Sequence, residues 1–286
     1  MRIMYSSLVA AGLAVLGVGF LGAGLSCLSA GSAHCLIESA TGKHIKLDVP
    51  YAASRQEVVE KMLDMAGVGA GDRVIDLGTG DGRILITAAR ERGANGLGID
   101  IDPSLVRQAQ AHARKEGIAE RVEFRVEDLF KTPLADANVL TLYLLPKINL
   151  RLRPRLFSEL RPGTRVVSHA FDMGDWQPDA SERAGSAHVY LWVIPARVDG
   201  RWTLTDDQGR TVELQLKQHF QLVWGTLDGR PIETIRLRGD RLHFVADLGD
   251  GARDFDGRVS GDAIEPVDRE LSAQSWHASL NDREIL

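Results

Sequence analysis

In Val74-Ile-Asp-Leu-Gly-Thr-Gly-Asp-Gly-Arg83 a carboxylate, Asp76, is followed by glycines at positions 78, 80 and 82. The types and spacing suit the holding of a ligand. Glycine backbone takes left-handed angles and, having no Cβ, lets a ligand come close. A helix that starts directly after the turn offers unpaired N–H groups. A second carboxylate, Asp100, lies 24 positions beyond Asp76 at the end of Gly96-Leu-Gly-Ile-Asp100, where an acidic side chain can accept bonds from both hydroxyls of a ribose. The alternative role for Asp100 is a helix cap. Asp102 followed by Pro103 fills that role better, as N-cap and first helical proline, which leaves Asp100 free for a ligand. The chemistry implied is the binding of a nucleoside-bearing cofactor. A dinucleotide is disfavoured, because G-x-G-x-x-G would need a glycine at 83, where Arg83 stands.

These residues need strands and helices to carry them, and the flanking pattern supplies both. Residues 74–77 read as a buried strand, and Ile84, Leu85, Ile86, Ala88 and Ala89 as a buried helix. Residues 96–100 form a second strand, 103–115 a helix stopped by Gly117, and Val122, Phe124 and Val126 a third strand. A fourth strand is predicted over 139–145, a helix beginning near Pro154, and a fifth strand over 164–169. Alternating strands and helices of this kind give a doubly wound, Rossmann-like α/β sheet with parallel strands. Ahead of them, Ser54-Arg-Gln-Glu57 is a capping-box pattern in front of an apolar helical face made by Val58, Val59, Met62 and Leu63.

The D-x-G-x-G-x-G form, with acidic residues following at 100 and 128, resembles motif I and its partners in the class I S-adenosylmethionine-dependent methyltransferases. Leu142-Tyr-Leu-Leu-Pro146 and Ser168-His-Ala-Phe-Asp-Met-Gly-Asp-Trp176 narrow this to a bacterial group. The group is distantly similar to the membrane-anchored protein-lysine methyltransferases of ATP synthase c subunit and adenine nucleotide translocase. The likeness covers roughly residues 45–178. Thr79 stands where serine is usual, and Tyr51-Ala-Ala-Ser54 departs from a proline-containing segment that lies over the cofactor. The resemblance implies S-adenosyl-L-methionine as cofactor, held by Asp76, Gly78, Gly80, Gly82, Asp100, Asp128 and Leu129. Asp128 would accept from the adenine amino group and Leu129 would wall the ring; taken alone, Asp128 would be a solvated turn residue. Tyr51 would pack on the following helix, or help to close the site. No metal site is expected.

Leu144-Leu145-Pro146 ends strand four where base-methylating enzymes carry an Asn/Asp-Pro-Pro-aromatic loop, which argues against a nucleic-acid substrate. Methyl transfer depends on positioning more than on acid–base help. A lysine acceptor must still lose a proton, and Tyr143, His169 and Asp172, at predicted strand ends, are the candidates to bind or deprotonate it. The alternative is that Tyr143 is core and His169 a satisfied hydrogen-bonder.

The rest of the chain bounds the setting. The 286 residues carry a net charge of -5 and no dense basic block, so electrostatics gives no case for nucleic acid. Residues 8–30 are uncharged and long enough to cross a bilayer. They are read as a retained anchor with the catalytic domain in the cytoplasm, where S-adenosylmethionine is made; the alternative is a cleaved signal and a periplasmic or secreted product. Both cysteines, Cys27 and Cys35, lie in or beside this segment. Beyond residue 195 strand-like runs at 202–205, 211–226, 232–238, 241–247, 255–260 and 275–279 predict an antiparallel β unit, with Leu214, Leu216, Phe220, Leu222 and Trp224 on one face. The expected division is therefore 1–33 anchor or signal, 34–194 methyltransferase domain and 195–286 β domain. The favoured acceptor is a protein lysine at or near a membrane. The alternatives are a small molecule or lipid, or a non-catalytic exported binding protein.

Overall fold

Five runs form the parallel strands; four of them are buried along almost their whole length, as a sheet covered on both faces requires, and the third in chain order, at the sheet edge, alternates buried and exposed residues. The five are β1 (Arg73–Leu77), β2 (Asn95–Asp100), β3 (Val122–Val126), β4 (Val139–Leu142) and β5 (Arg165–His169). The computed structural model describes residues 51–249, 251–267 and 275–283, with three short, mutually paired strands at Leu25–Ser26, Leu36–Glu38 and His44–Lys46. Apart from Leu25–Ser26, the apolar segment 8–30 lies outside the described residues, as do Cys27, Cys35 and Val49-Pro50. No helix among the described residues is long and apolar enough to cross a membrane.

The sheet continues past the five expected strands. β6 (Ala180–Ala184) and β7 (Ala187–Val193) form a hairpin that adds antiparallel to β5, giving the order β3-β2-β1-β4-β5-β7-β6. The strand order reverses between β1 and β4, so the carboxyl ends of these two strands open a crevice. Helices α1 (Gln56–Met65), α2 (Arg83–Arg92) and α3 (Pro103–Lys115) share one buried cluster with the sheet. Helix α4 (Pro146–Glu159) shares the other, with Trp176 and Trp192.

Two local expectations are corrected here. Strand four ends at Leu142, and α4 starts at Pro146, eight residues before Pro154, which lies inside the helix. Proline inside a helix forgoes one backbone bond, but Ile148, Leu152 and Leu156 are buried on either side of it and hold the helix together. Ser54 does not cap α1. The N-cap is Arg55, without a side-chain cap bond, because the Ser54 hydroxyl pairs with the His169 ring 115 residues away.

The C-terminal strands form one curled antiparallel sheet of nine strands among the described residues. In chain order they are β8 (Gly200–Thr205), β9 (Thr211–His219), β10 (Leu222–Leu227), β11 (Arg230–Pro231), β12 (Ile235–Arg238), β13 (Arg241–Asp247), β14 (Ala252–Ser260), β15 (Ala263–Pro266) and β16 (His277–Asp282). The spatial order is β11-β10-β9-β8-β16-β15-β14-β13-β12, so the last strand closes the gap between β8 and β15.

The run 211–226 is two strands, since Phe220 takes a positive φ of 53° and reverses the chain. The reversal shifts the alternation. Leu227 and Gly225 face inward opposite Leu214 and Leu216, while Leu222 and Trp224, expected on that face, are 60% and 51% exposed. Gln218 interrupts the apolar face at no loss. Its amide donates to the Ala196 and Phe220 carbonyls and accepts from the Val198 N–H.

The β9–β10 tip docks the curled sheet onto α4. Phe220 stacks on Phe157 at 5.5 Å and meets Trp176 at 6.0 Å, the Arg153 guanidinium lies 5.2 Å from its ring, and Trp176 Nε1 donates to Gln221 Oε1. Phe220→Ala should lower stability by about 1 to 3 kcal/mol and expose residues 195–286 to protease before the seven-stranded unit. Thermal melts and timed proteolysis of the two proteins read both effects; equal cleavage patterns would show that the ring does not fasten the sheet.

Candidate active site

The glycine turn is built from below. Asp76, 1% exposed, accepts from Thr79 Oγ1 at 2.7 Å and from Thr141 Oγ1 of the neighbouring strand at 2.6 Å. Burial pushes its carboxyl up to about 6 against the pull of those two hydroxyls. The Gly78 and Thr79 N–H groups both donate to the Ile99 carbonyl, which pins the turn to β2. Asp76 thus shapes the turn and does not itself line the cleft. Gly82 is also a packing residue: a Cβ there would lie 2.8 Å from both Ala109 and Phe124. Gly78 and Gly80 do line the cleft, with φ of 77° and 56°.

Asp100 stands opposite the turn and is less free than its neighbour's capping role implies. Asp102 caps α3 through the Ser104 N–H, yet Asp100 Oδ2 accepts from Gly80 N–H and Oδ1 from Asp102 N–H, both at 2.9 Å. Burial raises the Asp100 carboxyl, and the two backbone donors work against that. Each oxygen keeps a further lone pair, and the residue lines the cleft. Asp128 and Leu129 also line it. Asp128 Oδ1 accepts from the Phe130 N–H. Phe130 is a wall that the sequence reading missed, with the Arg151 guanidinium 3.6 Å above its ring.

The three acceptor-side candidates separate. Tyr143, just past β4, is half-buried in the cleft wall. His169 is buried and behind it, its ring stacked on Tyr143 at 3.8 Å and its Nδ1 2.8 Å from Ser54 Oγ. Burial first, and the nearby Arg55 cation second, lower its pKa to about 4. The neutral, enclosed imidazole, with one nitrogen engaged, forms a platform against Tyr143 and is not among the residues that line the cleft. Asp172 is exposed in the following turn, where it accepts from the Gly174 N–H, and it is not among the cleft residues.

Further residues complete the site. Tyr51 lies on the turn, not on the α1 face: a Cβ at Gly80 would fall 2.5 Å from its ring. Arg83 pairs with Asp81 through Nε and Nη2 and donates Nη1 to the Ser54 carbonyl at 2.8 Å. Burial opposes ionisation of Asp81, but the Arg83 guanidinium holds it below the usual carboxylate range. In the sequence Arg83 was informative as the residue that breaks the dinucleotide spacing and as the last residue of the D-L-G-x-G-D-G-R run; its role as a clamp needs the fold. Asp81, Asp100, Asp102, Glu127 and Asp128 line the cleft against one cation, Arg83. Such a lining suits a nucleoside with a positively charged tail and opposes a phosphate.

The ANTKMT methyltransferase domain matches residues 76–180. Over 151 residues the chain is 39% identical to a protein-lysine N-methyltransferase of Saccharolobus islandicus, covering 51% of this chain and 94% of that protein. The chain belongs to this methyltransferase family. It is also 33% identical to the mouse adenine nucleotide translocase lysine N-methyltransferase, over 52% of this chain and 65% of that one. Among solved structures, a Salinibacter ruber protein described as an RNA methyltransferase in complex with S-adenosyl-L-homocysteine is 50% identical over 51% of this chain and 96% of its own, with a TM-score of 0.51. The family match ends at residue 180 and takes in none of the curled sheet.

The lowered pKa of His169 has a thermodynamic sign. Its contribution to stability is complete above about pH 6.5 and is lost as the pH falls towards 4, because the unfolded chain then binds a proton that the fold refuses. Asp76, raised to about 6, acts in the opposite sense, favouring the fold as the pH falls through that value. A comparison with His169→Asn isolates the imidazole. Between about pH 7.5 and 4.5 the wild type should lose on the order of 2 to 3 kcal/mol more than the variant. Denaturant melts at the two pH values measure this, and equal losses would exclude a neutral buried His169.

Proposed function

We propose that this methyltransferase transfers a methyl group to the ε-amino group of a protein lysine at or near a membrane. The cofactor is S-adenosyl-L-methionine. When bound, it supplies an electrophilic methyl group on a cationic sulfur, and the residues present fit it. Gly78 and Gly80 leave room beside the turn, Asp100 offers lone pairs to the ribose, and Asp128, Leu129 and Phe130 form the pocket for the base. The carboxylates around the turn favour its positive charge.

The observation that carries the lysine reading is Tyr143. Its hydroxyl-bearing ring is the acceptor-side group that reaches the cleft, beside apolar Leu144, with no amide or carboxylate in the Leu144-Leu145-Pro146 turn to hold a nucleobase edge. The wall made by Tyr143 and Leu144, apolar but for one hydroxyl, suits an alkyl chain ending in an amine. The hydroxyl orients the nitrogen, and the reaction then depends on alignment. The names carried by the Saccharolobus and mouse relatives agree with this acceptor. The Salinibacter protein's description favours a second reading, RNA methylation. We further propose that residues 1–33 tether residues 34–194 and 195–286 to the cytoplasmic face of a membrane, a cleaved signal being the other outcome.

Tritiated S-adenosylmethionine incubated with the full-length protein and membrane extract tests these readings. Label should enter a protein band and return methyl-lysine on acid hydrolysis, and Tyr143→Phe should slow it by roughly tenfold or more. Label in the organic phase would make the acceptor a lipid, label in RNA would establish the second reading, and cofactor binding with no labelling would leave a binding scaffold. Recovery of residues 1–33 in the mature protein decides between tether and signal.

Two substitutions address the cofactor cleft separately. Gly80→Val forces a side chain into the Tyr51 ring at a positive φ, and Asp100→Ala removes the acceptor of the Gly80 N–H and of the ribose. Each should weaken S-adenosylhomocysteine binding by about ten- to a hundredfold, as expected for a lost bond of roughly 1.5 to 3 kcal/mol. Calorimetry gives the constants, and wild-type affinity in both variants would place the cofactor elsewhere.

A further inference from the structure

A continuous set of contacts joins the glycine turn to the acceptor side. Asp81 holds the Arg83 guanidinium through bonds of 2.9 Å at Nε and 2.6 Å at Nη2, and Arg83 Nη1 donates to the Ser54 carbonyl at 2.8 Å. The same residue, Ser54, turns its hydroxyl the other way, to His169 Nδ1 at 2.8 Å, and it is 3% exposed. The His169 ring then lies against Tyr143, with centroids 3.8 Å apart and planes 24° from parallel. The next residue fastens this segment on its other side as well, where Arg55 Nη2 donates to Ser186 Oγ at the tip of the β6–β7 hairpin.

Nothing about helix α1 requires this arrangement. A serine at this position could cap the helix, and its hydroxyl is drawn off instead into a buried bond with a ring 115 residues away. The backbone around that ring is constrained too. Ala170 takes a φ of 67°, a left-handed value rarely adopted by an alanine, and its N–H donates to the His188 carbonyl. Strain of this kind persists where the surroundings over-determine it and concentrates at functional sites.

We propose that Ser54 is a positioning residue for methyl transfer: its hydroxyl fixes the rotation of the His169 ring, and that ring sets the plane of Tyr143 against the acceptor. The proposal rests on Tyr143 being the group that meets the acceptor. A free imidazole can rotate about its Cβ–Cγ bond, and with Nδ1 tied to Ser54 it is held at one angle. Because the Ser54 carbonyl is bound by Arg83, the platform is registered against the turn that holds the cofactor. Methyl and acceptor are therefore aligned from one frame, the condition on which an in-line transfer depends.

The test uses the full chain with Ser54→Ala, His169→Phe and the double variant. Phenylalanine keeps a flat ring for Tyr143 but has no nitrogen for Ser54. With tritiated S-adenosylmethionine and membrane extract, counted as total methyl transfer to any acceptor, Ser54→Ala should slow the rate at saturating cofactor by about tenfold or more. S-adenosylhomocysteine affinity by calorimetry should stay within about threefold of wild type. In the His169→Phe background the Ser54 change should add nothing, the mark of two residues acting as a unit.

A second readout needs no acceptor. Proton spectra of the His169 ring, identified by their absence in His169→Phe, should show the upfield displacement produced by the Tyr143 face, and Ser54→Ala should abolish it. Additive rate effects, a loss of cofactor affinity as large as the loss of rate, or an unchanged ring displacement would each overturn the proposal. If the wild type methylates nothing, the lysine reading fails on that result, and the ring displacement alone then decides whether Ser54 positions Tyr143.

Discussion

The whole cleft hangs on one buried carboxylate held by two hydroxyls. Asp76 takes O–H bonds from Thr79 in the turn and Thr141 in the adjacent strand, so it ties β1, β4 and the turn at the point where the strand order reverses. Burying an acid this deeply is unfavourable, and its raised pKa records the cost. The return is geometric. With Thr79 held from below and its N–H bound to the Ile99 carbonyl, the turn presents the Gly80 N–H towards Asp100. Asp76 therefore shapes the cleft without lining it, through a glycine and a second carboxylate that do line it.

What the sequence showed and what it concealed follow the range of the forces involved. The glycine turn, the Asp102–Pro103 start of α3 and its stop at Gly117 are set by neighbours within a few residues, and each stands where the pattern placed it. Ser54 carried an equally good local signal for a cap, and a contact 115 residues distant overrode it. The fate of Pro154 was decided the same way, by burial of Ile148, Leu152 and Leu156 around a residue that taken alone reads as a start. At Phe220 the local signal was itself misleading, because a large aromatic side chain is among the last expected at a positive φ. The ring's packing on Phe157 and Trp176 compensates for that conformation.

Of the three residues expected on the acceptor side, the fold brings Tyr143 and His169 together and sets Asp172 apart. Tyr143 and His169 fall together because β4 and β5 are adjacent and parallel in register. Whether either faces the cleft depends on how the chain leaves each strand. After Leu142 it bends inward through Tyr143 and Leu144 before Pro146 begins α4, so Tyr143 enters the wall. After His169 the left-handed Ala170 carries it outward, so that Asp172 ends in an exposed turn. No periodicity records that choice.

The curled sheet, although outside the matched family domain, is mechanically connected to the site. Its β9–β10 tip packs on Phe157 and Trp176 and lies under Arg153, all on or against α4. The same helix begins at Pro146, three residues after Tyr143, and carries Arg151 over the Phe130 ring on the cofactor side. Asn149, buried one turn into α4, donates to the Phe171 and Asp172 carbonyls and so holds the segment that follows His169. A displacement of α4 would therefore be felt at the Phe130 wall of the cleft, at Tyr143 and at His169 together. Bracing that helix is a structural role of the C-terminal unit, and it ties a sheet beyond the family domain to the walls of the cleft.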